Sequence, residues 1–282
     1  MRTVRLPSGS VIPVLGQGTW EMGEDHTKRH AEVAALRLGL DLGMALIDTA
    51  EMYGEGGAEE VIAEAIAGRR PDVFLVSKVY PHNATRTGAV EACERSLRRL
   101  KTEYLDLYLL HWRGAAPLTE TFDAFRSLKQ AGKIRDYGVS NFNHDDMAES
   151  SNMPGGDEIA TDQVLYNLAR RGIEWDLLPW CRERAISIMA YSPIDRSRST
   201  RGGMLGHPHL KSIASRHGVT SAQVALAWLL QQENVIVIPK AGHEPHVREN
   251  RAALDLRLTD EDLADLDHAF PPPRKKTALQ ME

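Results

Sequence analysis

One rhythm runs through the whole chain of 282 residues: a short run of branched and aromatic apolar residues, then a longer segment of helical spacing. The apolar runs are VLGQGTW (14–20), ALIDTA (45–50), VFLVSKV (73–79), YLDLYLLHW (104–112), IRDYGVSN (134–141), IATDQVLY (159–166), ISIMAYSP (186–193) and VIVIPKA (235–241). Between them Ala31, Ala34, Ala35, Leu38 and Leu42 fall on one helical face, and Val90, Cys93, Leu97 and Leu100 fall on another. Thr220-Ser221 and Thr259-Asp260-Glu261-Asp262 read as helix starts. Strands alternating with helices imply a parallel sheet covered by helices. Eight units in this length predict a closed (β/α)8 TIM barrel, an α/β fold spanning 1–282 as a single domain.

Two segments are additional. RTVRLPSGSVIP (2–13) predicts a β-hairpin around Pro7-Ser8-Gly9, placed to close the barrel floor. IDRSRSTRGGMLG (194–206) reads as a long polar loop after the seventh strand, carrying Arg196, Arg198 and Arg201. The formal net charge of −5 gives no reason to expect nucleic acid or an anionic membrane as a partner. No run reaches the ~18 apolar residues of a membrane span, and MRTVRLPSGSVIPV lacks the apolar core of a signal peptide. Cys93 and Cys181 sit in helical patterns outside any metal motif. A reduced, cytoplasmic monomer without a metal is therefore expected.

Barrel active sites lie at the C-terminal ends of the strands, so what each strand ends in can be read directly. The first ends in Gly18-Thr19-Trp20 and the second in Asp48, with Tyr53 just beyond. The third ends in Ser77-Lys78-Val79-Tyr80, the fourth in His111-Trp112 and the fifth in Ser140-Asn141. The sixth carries Gln163, the seventh ends in Tyr191-Ser192 and the eighth in Pro239-Lys240. Each residue alone has an ordinary structural explanation: a turn cap for Asp48, packing for Tyr53, a snorkelling stem for Lys78, a core imidazole for His111. Four titratable groups from three consecutive strand ends make a cluster.

A phenol is a poor acid near neutral pH, with a reference pKa near ~10. An adjacent ammonium favours the phenolate and is expected to lower that value. Asp48 would keep Lys78 charged, His111 would align a substrate oxygen, and Tyr53 would protonate it as charge develops there. No side chain in the cluster carries hydride, whereas a nicotinamide does.

With these residues in view, the sequence resembles an aldo/keto reductase along essentially its whole length. LIDTAEMYG, LVSKVY and LYLLHW resemble the segments that carry the family's tetrad, and YGVSNF and VIVIPKA resemble its cofactor segments. The resemblance implies Asp48, Tyr53, Lys78 and His111 as catalytic residues and NADPH, with NADH possible, as cofactor. It implies a cofactor site made by Gly18, Thr19, Trp20, Asp48, Ser140, Asn141, Gln163, Tyr191, Ser192, Ile194, Ile238, Lys240, Ala241, His246, Glu249 and Asn250. Gly16-Gln17-Gly18 lacks the third glycine of a dinucleotide-binding fingerprint. Trp20, Met22, Met52, Tyr80, His111 and Trp112 are expected to wall the substrate pocket. GIEWDLLPWC and the KTAL ending resemble the short bacterial members that reduce methylglyoxal and other small aldehydes. The partner expected is thus a small carbonyl compound.

Two positions depart from the family pattern. Ala241 and His246 stand where a serine and an arginine for a 2′-phosphate are usual. An imidazole attracts phosphate only when protonated, so weaker selectivity for NADPH is expected. The short tail PPPRKKTALQME is expected to leave the mouth open, and Arg113 faces either substrate or solvent. Two other functions suit parts of the pattern. Lys78 beside an acid would suit a Schiff-base aldolase. A cofactor-sensing regulatory subunit of a channel would also retain the tetrad.

Overall fold

The computed structural model describes residues 2–194 and 203–282. A hairpin of β1 (Thr3–Arg5) and β2 (Val11–Pro13) opens the chain. Eight parallel strands follow, each beside the next: β3 (Gly16–Gly18), β4 (Leu46–Asp48), β5 (Phe74–Val79), β6 (Leu105–Leu110), β7 (Ile134–Ser140), β8 (Ile159–Leu165), β9 (Ser187–Tyr191) and β10 (Val235–Val237). Parallel bridges Leu15–Val237 and Gly18–Lys240 join the first of these to the last, and Val237 N–H donates to Val14 O at 2.8 Å. The expected (β/α)8 barrel is therefore present. Its strands β3, β4 and β10 are shorter than their apolar runs, because only three residues of each pair along the ladder.

Close approach at the seam explains the glycines of Gly16-Gln17-Gly18. A Cβ on Gly18 would meet Ile238 O at 2.8 Å, and one on Gly16 would press into Leu46. These glycines let β3 lie against its neighbours.

The helices α1 (Arg29–Asp41), α2 (Gly57–Ala65), α3 (Arg86–Leu100), α4 (Leu118–Gln130), α5 (His144–Ser151) and α6 (Leu177–Glu183) alternate with the strands. Then come α7 (Pro208–His217) and α8 (Ser221–Leu230) before β10, and α9 (Glu244–Ala252) and α10 (Asp260–Ala269) after it. Thr220 and Thr259 cap α8 and α10 with reciprocal capping boxes, as their sequences predict. In α1 the buried stripe is Val33, Ala35, Leu36 and Leu40, so of the expected face Ala35 is buried while Ala31, Ala34, Leu38 and Leu42 are half-buried at its edge. Leu38 and Leu42 still pack against the core, so the helix faces the sheet through a stripe rotated from the expected one.

Side chains of a strand alternate between the barrel interior and the helix layer. Leu46, Val76, Leu107, Leu109, Met189 and Ile236 fill the interior, while Ile47, Leu75, Tyr108, Leu110 and Ile188 pack against the helices. Leu6 and Ile12 of the hairpin join the interior cluster, and Ser8 Oγ donates to Asp136 Oδ2 at 3.0 Å. Asp136 lies near the N-terminal end of β7, so the hairpin closes the floor and leaves the opposite end free.

Candidate active site

Counting two residues on from an interior side chain locates the next one on that face. Leu46 leads to Asp48, Val76 to Lys78, Leu109 to His111 and Met189 to Tyr191. The period of the strand thus points one residue from each of four strands into the same mouth. Tyr53 arrives differently, from the turn between β4 and α2. Gly54 and Gly56, with φ of 56° and 96°, allow that sharp reversal, and Glu55 shares it.

Lys78 is wholly buried, and its ammonium donates to Asp48 Oδ2 at 2.8 Å, Thr49 O at 2.8 Å and Tyr53 Oη at 3.3 Å. These three contacts use all the protons an ammonium has. The other Asp48 oxygen, Oδ1, accepts from Gln163 Nε2 at 2.7 Å. Burial alone would drive Lys78 toward neutrality, but the Asp48 carboxylate and Tyr53 outweigh it and hold the ammonium charged. A lysine held protonated is not a nucleophile, which counts against Schiff-base chemistry at this residue.

Tyr53 departs from expectation. Burial pushes its phenol up, and the nearby Lys78 ammonium pulls it down only in part, with Asp48 opposing that pull. The net direction is upward, because desolvation of the phenolate exceeds one shared ammonium contact. The phenol is therefore kept protonated at neutral pH, and Lys78 stands ready to stabilise the phenolate once the proton has left. The imidazole of His111 packs edge-on against Tyr53, with ring centroids 5.7 Å apart. Burial, with a contribution from Lys78, pushes His111 down to about 2, so the ring is neutral.

Above this cluster opens a cavity of about 800 Å³. Its lining includes Asp48, Tyr53 and His111, and Gly18, Thr19, Trp20, Ser140, Asn141, Gln163, Tyr191, Ser192, Ile194, Ile238, Lys240, Ala241 and His246. Tyr191 Oη donates to Asn141 Oδ1 at 2.9 Å, and Asn141 Nδ2 donates to His111 O at 3.1 Å, tying two strand ends to the cluster. Trp20, Met52 and Trp112 line the cavity as expected.

Four expected residues do not. Met22 is buried in the hydrophobic core, where the turn after Trp20 directs it inward. Tyr80 stands behind Trp112, with ring centroids 5.0 Å apart, rather than at the cavity wall. Glu249 and Asn250 also lie outside the lining: Thr220 Oγ1 donates to Glu249, and Asn250 is buried on α9. Arg113 turns away to form ion pairs with Asp146 and Glu149 of α5, at 2.7 and 2.6 Å.

The tail also corrects an expectation, since Met281 and Glu282 line the cavity instead of leaving its mouth open. Lys276 anchors the tail to Asp145 and Asp176, and Ser192 Oγ donates to the Glu282 side chain. Lys28, Glu32 and His243 join the lining unforeseen, since only the tertiary approach of the start of α1 to the start of α9 brings them in. Arg196, Arg198 and Arg201 fall outside the described residues.

The aldo/keto reductase family model matches residues 14–270. The chain belongs to the aldo/keto reductase family. This aldo/keto reductase is 53% identical over 275 residues, 97% of each chain, to methylglyoxal reductase YeaE of Escherichia coli strain K12. It is 32% identical over 266 residues to the glyoxal reductase of Bacillus subtilis strain 168, covering 94% of this chain and 91% of that one. An aldo/keto reductase from Klebsiella pneumoniae, solved in complex with NADP and acetate, superposes with a TM-score of 0.96 at 50% identity over 99% of both chains. Among the described residues no helix is long and apolar enough to cross a membrane, and no group of three or more potential ligands could hold a metal.

Proposed function

We infer that this reductase uses NADPH to reduce small aldehydes and ketones, methylglyoxal among them, and that Tyr53 gives the proton to the carbonyl oxygen. The observation that carries the reading is the Lys78 ammonium bound at once to Asp48 and Tyr53 inside the barrel. NADPH, when bound, supplies the hydride. The lining suits such a group. Amide and hydroxyl groups of Ser140, Asn141 and Gln163 face the cavity, Tyr191 offers a flat ring, and Lys28, Lys240, His243 and His246 offer positive or protonatable groups for phosphate. The reading is supported by relatives named for glyoxal and methylglyoxal reduction and by the NADP-bound relative.

In this mechanism His111, as a neutral imidazole, donates one N–H to the substrate oxygen and aligns it toward Tyr53. The Tyr53 phenol transfers its proton to that oxygen as negative charge develops on it. Lys78 then faces a phenolate, an ion pair in place of an ion–dipole contact, so its stabilisation grows along the reaction. Asp48 keeps the ammonium charged through the cycle. Trp20, Met52 and Trp112 exclude water from the reacting carbonyl and favour small or flat substrates.

Tyr53→Phe is the direct test. The variant should bind NADPH as the wild type does and lose nearly all aldehyde reduction. More than about a tenth of kcat remaining would remove Tyr53 as the proton donor, since one positioned acid contributes about 10²–10⁴-fold. A cytoplasmic monomer belongs to the same reading, and sedimentation of the pure protein tests the second half of it.

A further inference from the structure

The tetrad's histidine is held in an unusual way. Its Nδ1 is buried without a hydrogen-bond partner, and among the described residues neither ring nitrogen is anchored. A functional imidazole is ordinarily aimed by a hydrogen bond to the nitrogen it does not use. Among the described residues the ring contacts are what bear on its plane. Tyr53 meets the imidazole edge-on, and Trp112 lies against it with centroids 4.9 Å apart and planes tilted by 58°. Trp112 is itself only partly buried and borders the cavity, so it needs a support of its own.

That support is Tyr80. Its ring meets Trp112 edge-on at 5.0 Å and 80°, and His82 closes the far side at 4.2 Å and 71°. The backbone beneath is clamped. Glu51 Oε1 accepts from Tyr80 N–H at 2.8 Å and from Asn83 Nδ2 at 3.0 Å, and Arg95 pairs with the other Glu51 oxygen at 3.5 Å. Pro81 in turn packs so closely on Gly114 that a Cβ there would come within 2.7 Å. The loop after β5 thus braces the segment after β6.

We propose that Tyr80, outside the cavity, is a positioning residue that sets the plane of His111 by pressing on Trp112 from behind. The proposal rests on the reductase reading above and adds a residue to it. Its ring matters and its hydroxyl does not, because edge-on aromatic packing is what acts.

Single-turnover reduction of two neutral aldehydes, methylglyoxal and a bulkier aromatic one, tests it in wild type, Tyr80→Ala, Tyr80→Leu and Tyr80→Phe, and in His111→Gln alone and combined with Tyr80→Ala or Tyr80→Leu. Tyr80→Ala and Tyr80→Leu should slow both aldehydes about ten- to a hundredfold, because small misplacements of an aligning group have effects of that size. A Kd for NADPH equal to that of wild type identifies an intact barrel, and either variant that meets it carries the test if the other folds poorly. Tyr80→Phe should react like wild type. In the His111→Gln background the Tyr80 changes should add no more than about twofold, since coupled residues are non-additive.

Additive losses in that background would overturn the proposal. So would a loss confined to the bulky aldehyde, which would make Trp112 a pocket wall and nothing more. Failure of the wild type to reduce either aldehyde would instead sink the reductase reading.

Discussion

Removing Lys78 while leaving Asp48 in place separates the two tasks of this pair, stability and chemistry. Lys78→Met keeps most of the stem volume, so little of its effect comes from a cavity. What it leaves is a carboxylate 2% exposed, held by Gln163 but without a cation. Breaking a buried pair from one side costs about 3–5 kcal/mol. At roughly 2–4 °C per kcal/mol for a chain of this size, the melting temperature should fall by about 10 °C. Adding Asp48→Asn removes the buried charge and should restore most of the stability. Neither variant should recover activity, because no cation then faces the Tyr53 phenolate. Urea unfolding followed by circular dichroism at pH 8 measures the first effect, and single-turnover oxidation of NADPH measures the second. A Lys78→Met protein within about 1 kcal/mol of wild type at pH 8 would refute the argument. So would a double variant no more stable than the single one.

Three further outcomes are expected. Affinity for NADPH relative to NADH should fall several-fold when His243 and His246 at the cavity lining are both replaced by alanine, because each ring offers an N–H donor toward phosphate; fluorescence titration with each cofactor measures it, and an unchanged ratio would remove the imidazoles from phosphate recognition. Burial pushes Asp262 up, but Thr259, His217 and Arg216 hold it well below the ordinary carboxylate value. Its contribution is therefore complete above the unfolded pKa near ~3.9 and is lost as pH falls below it, so Asp262→Asn should flatten the acid limb of the unfolding free energy. Burial pushes the Cys93 thiol up to about 12 and Cys181 higher still, so neither should react with a disulfide reagent at pH 8 until the protein unfolds.

The barrel was legible because each strand buries both faces and so reads as an unbroken apolar run, with polar residues only where it reaches the mouth. LIDTA and LVSKV show this directly: the carboxylate and the ammonium take inward positions two residues beyond Leu46 and Val76. The strand ends therefore located Asp48, Lys78, His111 and Tyr191 in the sequence, and the period of two explains why all four face inward. Met22 and Tyr80 could not be placed in that way. They lie in turns beyond the strand ends, where no period holds and the path of the backbone decides which way a side chain points.

What the sequence determined by itself was the set of groups at one end of a parallel barrel and the identity of the phenol, ammonium, carboxylate and imidazole among them. Tertiary structure alone decided how they are charged. Burial reversed the expected direction for Tyr53, because desolvation depends on everything packed around a group and a lysine nearby in the chain cannot announce it. It also alone decided that residues far apart in sequence meet: Glu282 reaches Ser192, Lys28 joins His246 at the cavity lining, and Tyr80 comes to stand behind Trp112. Such contacts come from how loops cross above a closed sheet, and no local pattern of residues specifies that crossing.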